Sequence, residues 1–108
     1  MYVTATTADN SGQPVEIGSM VAEEMERWLS EMEGFEGFLL LTGEEKSMGL
    51  AFWASRELAE RHAVARAEFR ERMLALVGVR IEEVVDYDVA FARVRPGFIA
   101  EAASGGGA

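Results

Sequence analysis

The chain has 108 residues, a length that points to one domain able to bury a hydrophobic core without covalent staples. It carries 19 acidic and 10 basic residues, a net charge of −9, so its surface repels phosphate backbones and nucleic acid is not an expected partner. Cysteine is absent, which excludes disulfides, thiolate metal sites and a cysteine nucleophile. The opening MYVTATTADN lacks the basic and apolar segments of a signal peptide, and no apolar run reaches the length of a membrane span. A cytoplasmic protein with no membrane attachment is the expectation.

Tyr2–Ala8 is short and β-branched and reads as a first strand. The turn-rich DNSGQP follows, and a helix begins at Pro14 or, with Ser19 as N-cap, slightly later. Ile17, Val21, Met25, Trp28, Leu29 and Met32 recur at three- and four-residue steps as one apolar stripe, and Gly34 ends the helix. Strands over Phe35–Thr42 and Ser47–Trp53 flank the turn GEEK. Ser55 is placed to cap a second helix over Arg56–Leu76, whose stripe reads Leu58, His62, Ala65, Phe69, Met73 and Leu76. Glu82–Val94 reads as the last strand, ended by Pro96. The order β-α-β-β-α-β predicts an α+β, ferredoxin-like antiparallel sheet with both helices on one face. It assigns one domain to residues 1–95 and a flexible tail, rich in glycine, to 96–108.

The hairpin GFEGFLLLTGEEKSMGLAFW carries an unusual demand. A symmetric turn pairs Leu41 with Met48, Leu39 with Leu50 and Gly37 with Phe52 on one face. The other face holds Leu40 with Gly49, Phe38 with Ala51 and Glu36 with Trp53. Both faces are apolar, whereas a sheet covered by helices on one side should alternate to polar residues on the other. The second face therefore predicts a homodimer, two sheets packed face to face.

The runs GFEGFLLL (34–41) and GLAFWASRELAERH (49–62), with VVDYDVAF (84–91) as a closing strand, resemble the dimeric α/β-barrel superfamily and its antibiotic-biosynthesis-monooxygenase-like branch. The resemblance spans about residues 1–94. It implies a dimeric α/β barrel that binds a small apolar or aromatic molecule between sheet and helices. The implied activity is cofactor-independent oxygenation of an aromatic or polyketide-like compound: the pocket ionises a phenol and oxygen attacks the anion. A non-catalytic dimeric binding or accessory protein is the alternative, and haem degradation a third reading. The haem-degrading members combine a first-strand asparagine with a tryptophan and a histidine on the second helix. Here the first strand offers Thr4, Thr6 and Thr7, and the two helix positions read approximately Arg61 and Glu71.

Trp53 matches a tryptophan of the branch's pattern and is a candidate to stack on substrate; its other reading is a core plug. His62, the single histidine, is either a packed core residue or the base that takes a phenolic proton. Phe38, Gly49, Ala51 and Phe69 complete the candidate binding set with Trp53, the small residues Gly49 and Ala51 leaving space beside it. Tyr87 reads as interface or core, and Asp86 and Asp88 as solvent-facing or rim residues. No glycine-rich phosphate loop, metal-spaced His/Cys cluster or Ser-His-Asp set is present, so no cofactor and no metal are expected.

Overall fold

A computed structural model describes residues 1–10 and 14–98. In chain order the elements are β1 (Tyr2–Asp9), α1 (Val15–Leu29), β2 (Phe35–Thr42), β3 (Lys46–Trp53), α2 (Arg56–Arg61), α3 (Ala63–Leu76) and β4 (Arg80–Asp88). The strands form one four-stranded antiparallel sheet in the order β2-β3-β1-β4. This is the α+β ferredoxin-like architecture that the element order predicts. Residues 11–13 of the first linker and 99–108 of the expected tail lie outside the described residues.

Pro14 caps α1, so the earlier of the two predicted starts is the observed one and Ser19 lies inside the helix. Ser55 caps α2 as expected: its side chain accepts from the backbone N–H of Leu58 at 3.2 Å. The hairpin register is the predicted one from Gly37–Phe52 to Leu41–Met48. It departs at the open end, where an irregularity between Phe35 and Gly37 sets Phe35, not Glu36, opposite Trp53.

Two expectations are corrected. The second helix is not continuous, because His62 (φ −115°, ψ 21°) separates α2 from α3. Neither glycine nor proline marks this break. The Arg66 guanidinium donates to the Ala59 carbonyl at 2.6 Å, a side chain competing for a helix-ladder acceptor, which is an established cause of such interruptions. The last strand spans Arg80–Asp88 rather than 82–94. Its only neighbour is β1, and Tyr2, the first residue of β1, pairs with Asp88. Beyond Val89, whose N–H donates to the Met1 carbonyl at 2.9 Å, no further stretch of β1 remains to pair with among the described residues.

The helices cover the face of the sheet that carries Thr4, Thr6, Phe38, Leu40, Gly49 and Ala51. Trp53 is fully buried at the end of β3, in a core with Tyr2, Leu29, Ala51 and Ala59. Trp28 of α1 stacks on Phe69 of α3, with ring centroids 4.2 Å apart and planes 6° from parallel, tying the two helices together. Gly34, at φ +89°, makes the turn from α1 into β2 under Leu58. A Cβ at this position would lie 2.6 Å from Leu58 Cδ1. Gly34→Ala combines a left-handed backbone with this clash, so it is expected to lower the unfolding free energy by about 2 kcal/mol. Urea denaturation of the two proteins measures it, and an unchanged midpoint would contradict the tight packing of this turn.

Candidate functional site

The helix-facing side of β1 and β3 carries small residues: Thr4, Thr6 and Ala8 on one strand, Ser47, Gly49 and Ala51 on the other. Helices resting on Phe38 and Leu40 cannot reach down to these positions. A cavity of about 90 Å³ remains between sheet, α1 and α3. Ile17, Val21, Met25 and Leu29 close it from α1, and Leu74, Val77 and Val79 from the far side. Its lining follows β1 from Thr4 to Asn10, a run of about 20 Å at the usual strand rise. The interior is mostly aliphatic, with threonine and serine hydroxyls on the floor.

Two arginines of α3, Arg66 and Arg70, also line it. Arg66 is 7% exposed. Its guanidinium lies over the Trp53 ring, 4.7 Å from the centroid, donates to the Ala59 carbonyl, and makes a long 3.4 Å contact with Thr4 Oγ1. The Nε atoms of Arg66 and Arg70 are both buried without a hydrogen-bond partner. Among the described residues neither arginine forms an ion pair with a carboxylate. Burial, and then the like charge of Arg70, push the Arg66 guanidinium below its usual pKa; Asp86 on β4 pulls it back. Burial also lowers Arg70, against the opposing pull of Glu71 and Asp86. At the other end of the lining Asn10 donates from Nδ2 to Ser47 Oγ at 2.6 Å, while its Oδ1 is buried without a partner.

The residues singled out from sequence divide. Phe38, Gly49 and Ala51 line the cavity. Gly49 does not leave room for a ligand in the way supposed, however: its open side is taken by the Phe38 ring, whose Cζ would stand 3.1 Å from an added Cβ. Trp53, His62 and Phe69 are not among the lining residues. Trp53 is sealed beneath Arg66 and makes an edge-on contact with Phe35, centroids 5.6 Å apart. His62 sits half-buried at the α2–α3 junction, and Phe69 is engaged with Trp28. Asp86 and Asp88 are exposed on the helix side of β4, and Tyr87 is 54% exposed on the opposite face.

The apolar stripe of the second helix lies one residue, a rotation of about 100°, out of phase with the positions that face the sheet, so apolar periodicity passes over the two arginines. Choosing apolar positions selected Leu58, Phe69 and Met73, which form a flank, along with Ala65 and Leu76, which are exposed. The sheet-facing positions are Ala59, Arg66, Arg70, Leu74 and Val77. Their spacing is as regular, but two carry charge.

No family model matches the chain, and no curated protein matches it in sequence. Solved structures do match in architecture. SnoaB, a cofactor-independent oxygenase from Streptomyces nogalater, superposes with a TM-score of 0.62 at 17% identity, over 84% of this chain and 95% of that one. A candidate antibiotic biosynthesis monooxygenase from Deinococcus radiodurans gives 0.66 at 12% identity, over 88% and 98%. MhuD, a haem degrader from Mycobacterium tuberculosis solved with two haems in its active site, gives 0.55 at 19%, over 87% and 100%. The chain thus has the antibiotic-biosynthesis-monooxygenase-like fold, an architecture shared by proteins of different chemistry.

An arginine whose Nε is buried without a partner is a poor contributor to folding. Arg70→Met keeps the length of the side chain and removes the desolvated charge, so it is expected to raise the unfolding free energy by about 1 kcal/mol. Chemical denaturation tests this; a clear loss of stability would assign Arg70 a structural role instead.

Proposed function

We propose that the protein is a homodimer that binds a compact aromatic compound in the cavity between helices and sheet, and that it oxygenates this compound without a cofactor. The observation that carries the reading is the cavity itself. It is an apolar space with a few convergent polar groups, in a fold shared with a cofactor-independent oxygenase. Its volume of about 90 Å³ suits a single ring, and a multi-ring compound would require α1 to move outward. In this reaction class the substrate must become an anion before oxygen attacks. Among the described lining residues there is no histidine, tyrosine or carboxylate to act as base. Ionisation of a bound phenol would therefore rest on the positive potential of Arg66 and Arg70 in a desolvated site, with the proton released to solvent.

That same lack of a lining base, together with the positions of Trp53 and His62 outside the cavity, favours the second reading, a non-catalytic binding protein. Haem fits poorly: the cavity is small, and the described lining offers no imidazole to hold iron. Oxygen uptake with a panel of substituted hydroquinones separates the two remaining readings. Turnover in the unmodified protein that falls at least tenfold in Arg66→Lys supports oxygenation; binding without uptake across the panel supports the binder.

The dimer rests on the uncovered face of the sheet. Leu39, Leu41, Met48, Leu50, Phe52, Val85 and Tyr87 share that face by register, and Leu41 and Tyr87 are 51% and 54% exposed. Past β4, Phe91, Val94 and Phe98 are also exposed on an irregular segment. An apolar area of this kind is stabilised by a second copy, at about 25 cal/mol per Å² buried. Light scattering is expected to give twice the 11.8 kDa chain mass, and Leu41→Glu to shift the protein towards monomer. A monomer at micromolar concentration in the unmodified protein would refute the dimer.

A further inference from the structure

The geometry points to Arg66 and Arg70 as an oxyanion-binding subsite within the cavity: the ligand is a small aromatic monoanion whose charge is a delocalised oxyanion, a carboxylate or an ionised phenol. This rests on the cavity being a ligand site and names the chemistry that the site selects.

Arg66 uses one terminal nitrogen to hold the Ala59 carbonyl, and its ring contact with Trp53 fixes the guanidinium plane. Its second terminal nitrogen has only the long Thr4 contact, and Nε has nothing. Arg70, one helical turn further along the same face, makes no hydrogen bond or ion pair with any described residue. Folding thus uses a fraction of the donors that the buried Arg66 and the half-buried Arg70 present. A planar fork with free N–H groups matches a carboxylate or phenolate oxygen, and charge-assisted bonds would replace the weak Thr4 contact.

Charge counting sets the valence. Two cations face the cavity, and Asp86 is close enough to act on both without forming an ion pair. Glu71 also acts on Arg70, so two carboxylates offset the two guanidinium groups and no surplus positive charge remains for a phosphate dianion; the free N–H groups suit a monoanion. The remaining lining, aliphatic side chains of α1 with Phe38, suits an apolar ring on that charge. Two positive groups held side by side are costly to an empty site and least costly with an anion between them.

The test titrates the protein and its Arg70→Met variant with benzoate, with neutral benzamide of the same shape, and with 4-nitrophenol, near neutral pH and at low salt. Calorimetry is expected to show benzoate binding about tenfold tighter than benzamide. Arg70→Met should abolish that preference. Bound 4-nitrophenol should ionise about one pH unit below its free value, read from its absorbance. Benzoate selectivity alone supports a carboxylate ligand, the phenol shift alone an ionised phenol, and both together the shared chemistry. Equal binding of benzoate and benzamide with no phenol shift would overturn the anion subsite and leave the cavity as a neutral-ligand site. So would a preference that survives in Arg70→Met. Failure of all three compounds to bind would overturn the ligand site and the subsite together.

Discussion

Small side chains on the helix-facing side of the two central strands control the rest of this structure. Threonine, alanine, serine and glycine on β1 and β3 give the helices no bulk to settle on, while Phe38 and Leu40 on the outer strand β2 hold that side up. The gap is the cavity. A void of about 90 Å³ costs a core roughly 2 kcal/mol in lost packing, an appreciable part of the stability of a small domain. Except at Gly49, whose open side the Phe38 ring occupies, larger residues at these positions would recover some of that. A sheet built to leave space is more simply explained by something that enters it than by packing.

The cationic lining strengthens this view, because it adds a second cost at the same place. Arg66 and Arg70 stand over the void on the inner face of α3, where aliphatic residues would pack better. Desolvating charged groups without a carboxylate partner opposes folding. Part of Arg66 is accounted for by the α2–α3 break, where it holds a backbone carbonyl, and by its position over Trp53. Arg70 has no comparable polar contact among the described residues. The two unfavourable features coincide in space, and a bound apolar anion would relieve both.

The architecture was legible in the sequence because it rests on alternation and turn chemistry. The hairpin register from Gly37 to Leu41 follows from a turn centred on GEEK, and the capping role of Ser55 follows from its place before a helical stripe. The end of β4 was not legible, since Val89, Phe91 and Val94 are as strand-like as the residues before them. What stops the strand is that its neighbour begins at Tyr2, a fact of topology. The site was only half legible. Phe38, Gly49 and Ala51 belong to the cavity, but Trp53 and His62, the residues with the most recognisable chemistry, are turned to packing or to a helix junction. Hydrophobic periodicity passes over a buried arginine by construction. The signal that would have found this pair is the alternative stripe Ala59, Arg66, Arg70, Leu74 and Val77, whose spacing fits a sheet-facing helix as well as the apolar one does.

Entry of an anion beside Arg66 and Arg70 is the event on which the proposed site depends. A crystal structure of the protein soaked with benzoate is the most direct measurement. The account predicts the carboxylate within hydrogen-bonding distance of both guanidinium groups, with the ring among the aliphatic side chains of α1. Benzoate bound elsewhere, or an empty cavity in which Asp86 pairs directly with the arginines, would contradict it.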